Sequence, residues 1–338
     1  MMPGLRQVQT DILIGHHGSV HCLYRVPGPE LQILSGDVEG VVCVWDPARS
    51  TQAVQSIEVG SEAISSVVCV DDHYLYVAAG CDLHRFDRRR PDRQLELVFS
   101  AEDDINQISV EGRHMAWCDD SGALTLASID PDSNIEVYRC LESAHDNICS
   151  SVLISAGDDD DDPVVYTAGM DSTIRVWDLD GDEIERLETG TAGPDPGTFQ
   201  QPSLVHWLAC SGDGGLLAAG LQSADIILAD TQTYSMGLLH AHTSIVSNVH
   251  FAAFRSRDIL LSASSDSTLV IWNLDPSAVL PDDGTLRQFS DAERSLFDMN
   301  LIQARIRLPY KPNDITTSIQ GQVYVADTSP DIHVYNIL

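Results

Sequence analysis

The sequence predicts an all-β protein, a seven-bladed propeller whose N-terminal strand closes the last blade. Three observations lead there. The stretch from Val164 to Asp180 reads as two short strands joined by a tight turn and ending in Trp177-Asp178. Val165, Thr167, Ile174 and Val176 follow the two-residue period of half-buried strands, and Gly169-Met170-Asp171-Ser172 supplies the turn. The same unit returns at Leu260 to Asp275 and at Ile33 to Asp46. Finally, 338 residues accommodate seven blades of roughly 40–45 residues each, with room for long loops. Ring closure makes residues 1–338 one domain.

Taken in order, Gln9–Ile14 is a strand before any complete unit. It is expected at the outer edge of the last blade, because the chain ends on an inner strand, Ile332–Ile337. Pairing the two hides both edges. Unit one runs from Gly15-His16 to Asp46. Unit two, Ile64–Asp87, has Phe86 where Trp45 stood; unit three, Ile105–Asp130, has Leu126 there. Unit four is the Trp177 stretch, introduced by Ala144-His145. Unit five, Leu204–Asp230, has Ala229 at the marker. Unit six runs from Ala241-His242 to Asn273, and unit seven, Asp314–Asn336, carries Tyr335. Such units with a GH…WD signature identify a WD40 β-propeller. Three loops lengthen the intervals: an acidic run at 157–163, a Gly/Pro/Thr-rich loop at 190–203 and an insert at 276–305. Within the insert, Asp291–Gln303 reads as a short helix capped by Ser290, with Glu293 three residues on.

Composition narrows the partners. Acids number 51 against 19 bases, a net charge of −32, which disfavours nucleic acid and anionic membranes as partners. Protein partners, basic ones or those met by a local basic patch, fit better. Aromatics make up only 6%, so Val, Ile, Leu and Ala must fill the core. Cys22, Cys43, Cys69, Cys81, Cys118, Cys140, Cys149 and Cys210 show no paired spacing and read as reduced thiols of a cytoplasmic or nuclear protein. The start, MMPGLRQVQTD, lacks the apolar core of a signal peptide, and no apolar run is long enough to span a bilayer.

Histidine, hydroxyl, acid and tryptophan recur together: His16, Ser35, Glu39, Trp45; His145, Thr167, Asp171, Trp177; His242, Ser262, Asp266, Trp272. A Ser-His-Asp set can be a hydrolase triad. Three copies at equivalent places are instead expected to be structural hydrogen-bond chains tying each turn to its blade. The acids Asp158–Asp162 lack the spacing and glycine of a calcium loop and read as solvated. His73, His84, His114, His206, His250 and His333 show no metal-ligand spacing, and Gly212-Asp213-Gly214-Gly215 is a hairpin turn, not a phosphate loop. No cofactor or metal is expected.

The one dense basic patch is Arg85, Arg88, Arg89, Arg90 and Arg93. It is either a loop neutralised by Asp87, Asp92 and Glu96 or a docking patch whose guanidiniums bind carboxylates and carbonyls. Beyond the repeats, Glu102–Asn106, Asp119–Ala123, the block HDNICSSV at His145–Val152, the loop Gly193–His206 and the ending Val325–Asp327 with Ile332–Tyr335 resemble the WD40 substrate receptors of cullin-4 ubiquitin ligases. The likeness runs nearly end to end. It implies docking on the adaptor damage-specific DNA-binding protein 1 through a box of aliphatic and small residues, an acid, then an aromatic or aliphatic residue, Asp, any residue and Arg. Leu75–Gly80 leading to Phe86-Asp87-Arg88-Arg89 matches it, so Asp87, Arg88 and Arg89 are the adaptor-binding expectation. Phe86 stands for the tryptophan and Arg88 for an aliphatic residue. The other units fail at the arginine: Asp46 is followed by Pro47-Ala48 and Asp178 by Leu179-Asp180. Similar receptors carry a lysine-rich insert before the last blade. Here 276–305 is not basic, so no nucleic-acid role follows from it. Lys311 is the chain's sole lysine, which reads either as base composition or an acidic, salt-tolerant proteome, or as a receptor body that offers almost no target for modifying itself.

The expected function is therefore a non-enzymatic adaptor, in its sharper form a cullin-4 substrate receptor. The alternatives are a scaffold of another assembly, such as one reading histone tails with an acidic rim, and a hydrolase with an axial metal, for which the innermost strands offer no converging ligands.

Overall fold

The computed structural model describes residues 8–90, 95–156, 163–189, 202–255, 258–274 and 300–337. Among these residues, strands form seven four-stranded antiparallel sheets. Six follow chain order from inner to outer edge. The seventh takes Pro312–Thr317, Gln322–Asp327 and Asp331–Asn336 from the C-terminus and Val8–Ile14 from the N-terminus as its outer strand. The N-terminal strand thus pairs with Asp331–Asn336, with Leu13 opposite Ile332. The last strand is third in its blade, next to the edge, rather than innermost. Ile14 also touches blade one, its amide donating to Thr51 O at 2.9 Å.

Seven apolar clusters fill the molecule, one at each seam between blades. At the closing seam Leu13, Tyr324 and Ile332 of blade seven pack on Val20, Ile33 and Trp45 of blade one. Because each sheet stands radially, both of its faces are buried, and aliphatic residues fill the inner and middle strands as the low aromatic content requires.

The innermost strand of every blade bulges at the same place. Register shifts at His21, Ser65, Asn106, Ser150, His206, Ser247 and Asn313. Five of these side chains cross the seam to the next blade's carbonyl. Ser65 donates to Ile105 O, Asn106 to Cys149 O (3.0 Å), Ser150 to Val205 O (2.7 Å), Ser247 to Pro312 O (3.2 Å) and Asn313 to Val20 O (2.8 Å). The next residue along adds a second tie, accepting a backbone N–H of the following blade. Ser66 accepts Ile108 N, Gln107 accepts Val152 N, and Ser151 accepts Leu208 N. At closure Asp314 Oδ2 accepts Leu23 N at 2.6 Å, while its Oδ1 accepts Asn248 Nδ2 of blade six at 2.7 Å. One carboxylate therefore joins blades six, seven and one.

Two further readings from sequence change. The marker of unit three is Ala127, not Leu126: Ala127 pairs with Met115 as Trp45 pairs with Ile33. Of the expected helix Asp291–Gln303, residues 291–299 lie outside the described residues. Asn300 and Leu301 are helical, whereas Ile302 and Gln303 belong to the outer strand of blade six, Ile302–Arg307, where Ile302 pairs with Trp272. Residues 157–162, 190–201 and 275–299, which hold most of the three loops, are likewise outside the described residues, as is Arg93.

Candidate protein-docking surface

The recurrent polar sets come first, because they could have been catalytic. In blade one Trp45 Nε1 donates to Ser35 Oγ (2.7 Å), Ser35 Oγ lies 2.6 Å from His16 Nε2, and His16 Nδ1 lies 2.8 Å from Asp37 Oδ2. An indole N–H can only donate, so the serine proton points to Nε2 and the histidine proton sits on Nδ1, facing the carboxylate. Burial lowers the His16 pKa against the pull of Asp37, which keeps the ring neutral. Blade four repeats the chain with Trp177, Thr167, His145 and Asp171 at 2.9, 2.8 and 3.0 Å. Burial acts to raise the Asp171 pKa, but bonds from His145 and Thr173 win and hold it well below the usual carboxylate range. Blade six repeats the first two links, Trp272 to Ser262 (2.9 Å) and Ser262 to His242 Nε2 (2.7 Å), but there His242 Nδ1 bonds Thr268 Oγ1 at 3.0 Å, Thr268 Oγ1 donates to Asp266 at 2.6 Å, and Asp266 itself lies 3.4 Å from the ring; burial brings His242 down to about 4.

The acid of blade one is Asp37, not Glu39. Asp37 occupies the position of Gly169 in blade four. A Cβ built on Gly169 would lie 2.1 Å from His145 Nδ1, so blade four leaves that place bare and Asp171 on the turn reaches the ring. With a side chain at 37, the ring is taken and Glu39 stays exposed. Asp119 and Asp327 hold the same position in blades three and seven, where they cap the turn amides of Ser121, Ala123 and Ser329. Ser35, Thr167 and Ser262 are fully buried and bonded on both sides, so no substrate reaches them as nucleophiles. Among the described residues no group of His, Cys, Asp and Glu could hold a metal ion. The Asp158–Asp162 run lies outside them.

The basic sector is organised differently. Tyr74 and Asp87 face each other across the second and third strands of blade two. Arg89 follows the third strand and forks back, Nε to Asp87 Oδ1 at 2.9 Å and Nη2 to Asp87 Oδ2 at 3.0 Å. Nη2 also donates to Tyr74 OH at 2.7 Å, with the guanidinium carbon 5.0 Å from the Tyr74 ring centre. The pair holds the Asp87 carboxyl down at about 2. About half the Arg89 side chain remains exposed, 49%. Arg88 is turned inward: Nη2 donates to Gln32 Oε1 of blade one at 2.9 Å and Nη1 to Asp72 O at 3.4 Å. Arg85 also faces inward, to Ser133 O (3.0 Å) and Asn134 of blade three and to Glu96 (2.8 Å). Of the three expected adaptor-binding residues, then, Arg89 presents its charge outward, Asp87 holds it, and Arg88 braces a seam. Arg90 is exposed beside them.

A family model, "WD domain, G-beta repeat", matches residues 6–46, 137–178 and 233–273. The protein is a seven-bladed β-propeller with WD40 repeats in three of its blades. The matched stretches end one residue past Trp45, Trp177 and Trp272, on the three blades with complete polar sets. The chain is also 29% identical over 119 residues to ribosome biogenesis protein YTM1 of Yarrowia lipolytica (strain CLIB 122 / E 150). That match covers 34% of this chain and 23% of the relative, so the chain spans less than a quarter of that protein's length.

Proposed function

We propose that this β-propeller is a non-catalytic protein-interaction scaffold, and more specifically a substrate receptor of a cullin-4 ubiquitin ligase that docks on the adaptor damage-specific DNA-binding protein 1. The observation that carries the reading is Arg89, half-exposed and held by Asp87 and Tyr74 at the box position, on an otherwise acidic chain. The blocks quoted above, HDNICSSV foremost, resemble WD repeat-containing protein 53, a WD40 protein of this receptor type. Bracing by Arg85 and Arg88 fixes blade two against both neighbours, so the docking arginine stands on a rigid base. Substrate would then meet the opposite end of the ring. Gel filtration of purified adaptor with this chain tests the reading. A complex is expected with the wild type and not with Arg89→Glu, whose fold is intact; equal complex formation by both rejects the site. The similarity to a ribosome biogenesis protein favours a second reading, a scaffold in ribosome assembly. Co-purification of assembly intermediates in place of the adaptor would select it.

A further inference from the structure

Two grooves lie at the end of the ring that carries Arg89. One, of about 570 Å³, opens between blades seven and one. The other, of about 470 Å³, opens between blades one and two and is lined by Arg88 and Arg89. Both are lined by Pro29 and Glu30, so they flank the loop that joins the first two strands of blade one, and the two grooves with that loop are called the trough below.

Side-chain amides stand along it: Gln322 and Asn336 in the first groove, Gln32 and Gln55 in the second. Gln322 Oε1 already accepts Tyr324 OH (2.9 Å) and Gln32 Oε1 accepts Arg88, which leaves their NH₂ groups as donors. A row of amides matches a ligand with alternating carbonyls and N–H groups, that is, an extended main chain; a helix has used its main-chain groups internally. The charges lining the two grooves balance, Arg49, Arg88 and Arg89 against Glu30, Asp46 and Asp72, although the whole chain carries −32. An acidic segment that the rest of the surface repels is tolerated here. Arg49 is tied to Asp46 at 3.1 Å and Arg88 to Gln32. Arg89 uses Nε and Nη2 on Asp87 and Tyr74, and among the described residues its Nη1 is left to bind a further oxygen.

We propose that this trough seats an extended, acidic segment of a protein partner, one carboxylate on Arg89 and the main chain along the amides. The proposal rests on Arg89 as a docking residue and not on which adaptor brings the segment.

The test is a phage-displayed dodecapeptide library panned against the full chain. Enriched peptides are then titrated by fluorescence polarisation against the wild type, Arg89→Gln and the double variant Gln322→Ala/Asn336→Ala. Enriched peptides are expected to carry Asp or Glu and to bind Arg89→Gln about tenfold more weakly or worse. The double variant should lose affinity too, and replacing the peptide acid by its amide should erase the difference between wild type and Arg89→Gln. Peptides without acids, binding unchanged by both variants, or no enrichment at all would overturn the proposal. The receptor reading fails separately: if purified adaptor does not bind while acidic peptides still require Arg89, the trough stands alone. If adaptor binding needs Arg89 yet tolerates Gln322→Ala/Asn336→Ala, and peptides are not held, the trough falls and the receptor reading survives.

Discussion

Asp314 should make ring closure depend on pH. Its carboxyl is wholly buried where blades six, seven and one meet, and burial raises its pKa from 3.8 to about 7, against three hydrogen bonds that favour the anion. A folded-state pKa above the unfolded one means the native protein holds the proton more tightly. The resulting stability is complete below pH 3.8 and is lost as pH rises through about 7. That rise, roughly three pH units at 1.36 kcal/mol each, amounts to about 4 kcal/mol, of which about 2 kcal/mol falls between pH 5.5 and 8.5. The buried histidines act in the opposite sense. His242 and His250, both brought down to about 4 by burial, contribute stability present above 6.5 and lost as pH falls. Comparing wild type with Asp314→Asn cancels the histidines. Urea unfolding of both proteins from pH 5.5 to 8.5 is the assay. The amide cannot satisfy both Leu23 N and Ile315 N, so the variant should be the less stable at pH 5.5, by about 1–3 kcal/mol. The gap should close toward pH 8.5 as the wild type bears the buried charge. A gap constant with pH would refute the assignment of the neutral-pH proton to Asp314.

Other substitutions separate the interior from the docking end. Gly169→Ala should cost about 1–3 kcal/mol in urea unfolding, because the new methyl falls on His145 Nδ1; a neutral result would mean the blade-four chain is dispensable. Asp37→Ala should cost about 3 kcal/mol by orphaning His16 Nδ1 and the amides of Glu39 and Val41, whereas Glu39→Ala should stay within about 0.5 kcal/mol in the same assay. Arg88→Ala should lower the thermal midpoint through loss of its tie to Gln32, while Arg89→Ala should leave the midpoint unchanged; the reverse order would invalidate the division of roles between them.

What could be read from sequence followed burial. The second and third strands of each blade are legible because both of their edges are paired and nearly every residue is buried, which leaves short runs rich in apolar and small residues, as in Val164–Gly169 and Thr173–Trp177. Outer strands are not, since a strand such as Glu183–Glu188 buries Leu187 alone and shows no period. Blade three slipped by one residue because neither Leu126 nor Ala127 is aromatic, and only pairing with Met115 separates them. Glu39 stands six residues before Trp45 as Asp171 stands before Trp177, but that spacing is silent on position 37, whose carboxylate takes the ring where blade four has Gly169. The bulge residues share no type, being His, Ser or Asn, so no pattern announces the ring they form. At the docking end Arg88 and Arg89 are equivalent on paper. Gln32, more than fifty positions away, decides which of them turns inward.

The decisive experiment is affinity purification with mass spectrometry on three tagged forms of the chain: wild type, Arg89→Glu and the control Arg186→Glu on the exposed outer strand of blade four. Docking through Arg89 predicts one group of proteins, cullin-4 ligase subunits among them, captured by wild type and control and missing from Arg89→Glu at equal bait abundance. The same proteins at the same abundance from all three forms would show that partners bind elsewhere on the ring.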